Sequence, residues 1–220
     1  MKTQGIVINS IDYKEASKIV YLYTPLGKVS IRAIGANKPK NGLLGFTTTL
    51  NIVSFVATDS NFPKLSEYTI EKSIFSNTES IDFLNAIQVI LDVIKYLPDD
   101  INHEATYNFI KNVILGLSTN PKKILSIYLI KMLYVFGVAP NLKTCCICGN
   151  PNPTFFKVSN GGAICNNCIS TMKYPWLLEA WKEYYYKKND FNEFNDYDFD
   201  ILLKSIESFY NVHAHIKLNI

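Results

Sequence analysis

The chain has 220 residues, 48% hydrophobic and 13% aromatic, with a net charge of +3. That composition excludes a long disordered tail and leaves room for one large domain or two small ones. The opening MKTQGIVINS reaches Asp12, Lys14 and Glu15 without a long apolar run, so no leader segment is expected. The most apolar stretch, Ile124 to Ala139, contains Lys131 and falls short of the ~20 residues a membrane helix needs. A cytoplasmic protein that makes no membrane contact is expected.

The first 75 residues read as β-structure. Gly5 to Ile8 is a short apolar run, and KIVYLY (Lys18 to Tyr23) is β-branched and aromatic. Thr24, Pro25, Leu26 and Gly27 supply a turn before KVSIRA (Lys28 to Ala33), which alternates strictly. Alternation puts Val29, Ile31 and Ala33 on one face and Lys28, Ser30 and Arg32 on the other. NKPKNGLLG (Asn37 to Gly45) is a loop, and further strands are expected at Thr49 to Val56 and Leu65 to Ser73. Five short strands with no helix between them fit a small closed barrel of the OB-fold type.

At Asn77 the pattern changes to helical spacing. Phe83, Ile87, Ile90, Leu91 and Ile94 form one apolar stripe that ends before Pro98. A second helix is expected from about His103 to Leu117. The third has both of its ends written out: Asn120 as cap, Pro121 in the first turn and Gly137 as the left-handed stop. Helices are also expected from Pro175 and over about Asp198 to Tyr210. The expected class is α+β, with a barrel over 1–76 and a helical domain over 77–220 that carries a cysteine insertion at 145–168.

All five cysteines lie between 145 and 168. Cys145-x-x-Cys148 and Cys165-x-x-Cys168 are separated by sixteen residues that hold a strand-like centre (Thr154 to Ser159) and a Gly-Gly turn. In a reducing compartment such paired knuckles are a metal-site spacing rather than a disulfide framework. Four thiolates fit tetrahedral zinc, and with no open position that zinc is structural rather than catalytic. Cys146 is the odd thiol. A redox dithiol and unligated thiols are the competing readings, the first weakened by the absence of a preceding βαβ pattern.

Charge is unevenly spread. Residues 1 to 40 carry Lys2, Lys14, Lys18, Lys28, Arg32, Lys38 and Lys40 against Asp12 and Glu15. A basic strand face beside a basic loop (Lys28, Arg32, Lys38, Lys40) suits a polyanion, with rings such as Tyr21 or Tyr23 available to stack on bases if they are not core. His213 and His215 lack partners at ligand spacing and read as surface or packing residues. No P-loop, G-x-S-x-G or H-E-x-x-H motif is present, and no residue is nominated as catalytic, so an enzyme is not expected.

The string GIVINSIDYKEASKIVYLYTPLGKVSIRAIGANKPK resembles the opening of the RecO family of bacterial recombination mediators. MLYVFGVAPNLKTCCICG, GGAICNNC and HAHIKLNI resemble, in that order, the family's helix end and first knuckle, its closing knuckle and its C-terminal tail. The resemblance implies an N-terminal OB-fold, a helical domain carrying zinc, and no enzymatic turnover. It further implies binding of single- and double-stranded DNA, annealing of complementary strands, and cooperation with RecR and the single-stranded-DNA-binding protein (SSB) in loading RecA. Arg32, Lys38 and Lys40, with Lys28 beside them, match positions where the family is basic. Arg32 is the chain's single arginine, and Asn37 stands where the family often has arginine. Lys122, Lys123 and Lys131 are the cations nearest the segment where the family receives the acidic SSB tail. The alternative is a zinc-ribbon scaffold whose DNA contact is incidental.

Overall fold

The structure, a computed structural model, describes residues 1–38, 42–74, 80–188 and 191–220. Lys40 and Asn77 lie outside the described residues. By internal contacts the chain forms two compact units, Met1–Ser80 with Val93–Leu115, and Ile81–Asp92 with Gly116–Ile220. Hydrophobic alternation marks the change from strand to helical spacing in the sequence, but it carries no information on which helix packs with which unit.

In the first unit, β1 (Lys2–Tyr13), β2 (Ser17–Thr24), β3 (Gly27–Ala33), β4 (Ile52–Ala57) and β5 (Leu65–Lys72) form an antiparallel sheet in the order β3-β2-β1-β4-β5. Arg32 and Lys64 make a parallel bridge, and the Arg32 N–H donates to the Pro63 carbonyl at 2.8 Å, so the segment entering β5 returns to β3 and closes the barrel. The interior holds Val7, Val20, Leu22, Ile31, Ala33, Val53 and Phe55. Ile31 and Ala33 of the predicted inward face of β3 are among them, Val29 packs half-buried against them, and this burial supplies most of the driving force for closure. A one-turn helix, α1 (Leu44–Thr47), sits where a plain loop is expected. It inserts Phe46 into the core, edge-on to Phe55 at 5.7 Å between ring centres. α3 (His103–Gly116) adds Tyr107 and His103 to this unit, and its Lys111 donates to the Gln4 side chain at 3.1 Å.

The second unit is built on α4 (Pro121–Val135), whose residues from Lys123 through Ile130 are all buried. Asn120 accepts from the Lys123 N–H, and Gly137 adopts φ 70°, so both predicted helix ends are present. α5 (Leu177–Tyr186) and α6 (Phe199–Phe209) pack on α4, as do residues 81–92 of α2 (Ile81–Lys95), whose Ile90 carbonyl accepts from the Tyr128 hydroxyl at 3.5 Å. α5 begins after Trp176 rather than at Pro175. The hairpin β6 (Phe155–Lys157) and β7 (Gly162–Ile164) is fixed to this unit through Phe156, which stacks on Trp181 at 4.2 Å and lies 6.2 Å from Phe209. Aromatic contacts of this kind add about 0.5–1.5 kcal/mol each beyond the area they bury. His213 donates through Nε2 to the Val158 carbonyl of this hairpin, 2.7 Å away, and packs on Phe209. It is a packing residue.

Candidate metal centre and nucleic-acid face

The cysteine hairpin is shaped by short local bonds. The Gly149 N–H donates to the Cys145 carbonyl and the Cys145 N–H to the Asn150 carbonyl, which turns the first knuckle with Gly149 at φ 75°. The Cys168 and Ile169 N–H groups both donate to the Cys165 carbonyl and turn the second. Asn141 clamps the hairpin's return through bonds with Gly161 and Ala163, close enough that a Cβ on Gly162 would collide with the Asn141 carbonyl.

The result is that the sulfurs of Cys145, Cys148, Cys165 and Cys168 all lie within 4.8 Å of one another, with Cys148 and Cys165 3.5 Å apart. A tetrahedron of sulfurs about 2.3 Å from a metal has edges of about 3.8 Å, so the cluster can hold a metal ion. Burial opposes ionisation of Cys145. Backbone N–H groups of Cys148, Cys165 and Ile147, with the Cys148 thiol, nevertheless bring its pKa down to about 6. Cys168 is pushed up to about 12 by hydrogen bonding with Cys148, by burial and by its other thiol neighbours. Four thiols this close cannot all ionise without a cation among them, and a cation there would offset that repulsion. Cys146 stands apart, its N–H bonded to the Ala163 carbonyl. The hairpin's own apolar cluster is only Cys145, Ile164 and Cys165, with Cys168 and Ile169 against it.

On the barrel, strand pairing settles which side chains face outward. Ile11 pairs with Ile19 and Ile19 with Arg32, and Tyr21 pairs with Ser30. Directly paired residues share a face, so Arg32, Tyr21 and Ser30 lie opposite the core residues Val20, Leu22 and Ile31. Arg32 is half-buried, its guanidinium 5.2 Å from the Phe62 ring centre and its Nε buried with no hydrogen-bond partner among the described residues. Lys38 is exposed. Lys28 is held: its ammonium donates to the Leu97 carbonyl at 2.9 Å and the Lys95 carbonyl at 3.3 Å, where a cation suits the end of α2. Tyr23 is core rather than a stacking ring. It is fully buried, hydrogen-bonded to His103 Nδ1 at 3.1 Å, and burial raises its phenol to about 12. Tyr13 meets Phe62 ring to ring at 5.7 Å, near Arg32 and Lys64, a grouping the sequence analysis did not single out; for Phe62 and Lys64 the aromatic and the cation flanking the proline in NFPKL were the available signal.

The three lysines nearest the expected acidic-tail segment are all engaged. Lys122 pairs with Asp200 at 2.8 Å and Asp82 at 3.7 Å, and the largely buried Lys123 pairs with Asp196 at 3.0 Å and donates to the Phe194 carbonyl. Lys131 donates to the carbonyls of Lys187 at 2.6 Å and Tyr185 at 3.5 Å. Among the described residues no helix is long and apolar enough to cross a membrane.

Comparison with known proteins gives a consistent family. Residues 1–74 match the sequence profile "Recombination protein O N terminal" and residues 79–219 match "Recombination protein O C terminal". The DNA repair protein RecO of Listeria monocytogenes serotype 4a (strain HCC23) is 30% identical over 185 residues, covering 80% of this chain and 72% of the relative. That of Bacillus mycoides (strain KBAB4) is 31% identical over 173 residues, covering 75% and 69%. That of Halalkalibacterium halodurans is 27% identical over 188 residues, covering 81% and 73%. With both profiles in the order of barrel and helices, the chain belongs to the recombination protein O family, whose work is DNA recombination and repair.

Proposed function

We propose that the chain is a non-enzymatic recombination mediator that binds single- and double-stranded DNA and anneals complementary strands. With RecR it would help load RecA onto single strands coated with SSB. The observation that carries this reading is the outward barrel surface, where Arg32 faces outward and Lys38 and Lys64 are exposed without an ion pair among the described residues. Lys40 continues the same loop in sequence. Cations presented this way neutralise phosphates without reading base sequence, and two strands held near one cationic face repel each other less. Lys28, held by carbonyls, contributes least to this face. The four cysteines would bind zinc, which supplies a fixed tetrahedral centre that folds the hairpin; Cys145, Cys148, Cys165 and Cys168 hold it and complete its coordination.

The test is annealing of SSB-coated complementary oligonucleotides by the full chain, read as duplex formation. Acceleration over the protein-free rate is expected, and a substitution of Lys38 with Lys40 by alanine should lower both the rate and the salt slope of DNA binding. No acceleration, together with an unchanged salt slope, would leave a zinc-ribbon scaffold as the function.

A further inference from the structure

Cations alone make a surface that treats single strands and duplexes much alike, because both offer phosphates. The barrel carries something more beside its cations. Tyr13 ends β1, where Lys14 takes φ 55° to make the tight turn into β2. Phe62 lies in the segment between β4 and β5, and 36% of its surface is exposed. The two rings meet edge to face, 5.7 Å between centres at 77°.

This arrangement is held rather than loose. The Pro63 carbonyl accepts the Arg32 N–H, Lys64 bridges to Arg32, and the Thr58 N–H and Lys64 carbonyl bond at 2.9 Å across the base of the loop. Those bonds keep Phe62 beside the Arg32 guanidinium, while the Lys14 ammonium lies 5.5 Å from the Tyr13 ring centre. Tyr21, half-buried on the same outward face of the sheet, stands one pair of residues along from Arg32. An aromatic pair at the surface with cations against both rings is costly to leave in water and well matched to a flat, anionic, π-faced ligand.

We propose that Tyr13 and Phe62 form a stacking platform for unpaired bases, with Arg32, Lys14 and Lys64 placed to take the flanking phosphates. The inference rests on the DNA-binding reading above and adds selectivity to it. A base inside a duplex has both faces covered by its neighbours, so the rings reward only single strands, whereas the lysines reward either form. Stacking tolerates every base, because each has a π-face, so the platform prefers unpaired over paired DNA without preferring a sequence. In annealing, that preference favours capture of the strands and weakens on the product.

The test uses the full chain with a fluorescent oligo(dT) and a duplex of equal length, titrated at two salt concentrations. Phe62→Leu and Tyr13→Leu keep an apolar side chain and remove the π-face. Each should weaken oligo(dT) binding about ten-fold, leave duplex binding within about two-fold, and leave the salt slope unchanged. Lys64→Gln should instead weaken both ligands and lower the slope. Ultraviolet cross-linking of unsubstituted protein to oligo(dT), with peptide mapping, should label Tyr13 or Phe62, and this readout stands even if a variant folds poorly. Leucine variants that bind oligo(dT) as the parent does, that lose both ligands equally, or cross-links confined to other segments would each overturn the platform while leaving DNA binding intact. Parent protein that binds neither ligand would overturn the DNA reading itself.

Discussion

The two units place several of their lysines differently. In the helical unit, Lys122, Lys123, Lys131 and Lys187 are tied to carboxylates or carbonyls, and four of the five thiols face one another. On the barrel, Lys38 and Lys64 are exposed with no ion pair among the described residues, and Arg32 leans on a ring. A lysine counted in a sequence is therefore not a cation available to a partner. The four helical-unit lysines are turned to partners within their unit, and so are Lys18, Lys28 and Lys111 of the barrel unit, whereas Lys38 and Lys64 remain exposed.

The strongest way to break this contrast is at the cysteines. On the zinc reading, Cys165→Ser should cost the chain about one zinc by elemental analysis and unfold the hairpin. Zinc binding in small knuckles contributes on the order of 10–16 kcal/mol, far more than the hairpin's few apolar contacts supply. A variant that keeps its metal or its full thermal midpoint would end the structural-zinc reading. Gly162→Ala comes next, because the added methyl meets the Asn141 carbonyl, and backbone on both sides leaves little room to yield. About 2–4 kcal/mol of destabilisation is expected by urea titration.

A lysine from each unit sharpens the comparison directly. Lys123→Ala strips the Phe194 carbonyl and Asp196 of their partner in a largely buried place, and about 2 kcal/mol of stability should go with it. DNA affinity should hardly move. Lys38→Ala should do the reverse: stability within about 0.5 kcal/mol, and a salt slope for single strands shallower by about 0.7. If both substitutions act on stability alike, the distinction between inward and outward lysines fails.

Much of this was legible in the chain and some of it could not be. Asn120, Pro121 and Gly137 announced α4 because caps and stops are local chemistry, and paired C-x-x-C spacing announced the cluster because two knuckles need only a hairpin to meet. α1 was invisible, since four residues give no periodicity. Tyr21 and Tyr23 share one parity along β2, so alternation treats them alike. His103, 80 residues on from Tyr23, decides that only Tyr23 is covered. The engagement of Lys122 by Asp82 and Asp200 is set in the same way by partners distant in sequence.

The smallest expected effect concerns carboxylates and separates the units once more. Glu183 on α5 has a side chain only 14% exposed and accepts from the Asn195 N–H and side-chain amide, the Tyr197 hydroxyl and the Lys187 ammonium. Burial works against its charge, but these donors prevail and hold its pKa below the ordinary 4.5. A carboxyl whose pKa is lower folded than unfolded stabilises fully above the unfolded value and loses that contribution as pH falls through the folded one. Glu183→Gln should therefore lower stability at neutral pH and flatten its fall below about pH 4.5, measured as urea midpoints across an acid series. Asp12 on the barrel is also held low, by Lys18 and Asn37, but its side chain is 73% exposed and water screens the pair. Asp12→Asn should change the acid series much less than Glu183→Gln, because water already screens the exposed carboxylate's pairing while the enclosed one relies on its own donors to hold its charge.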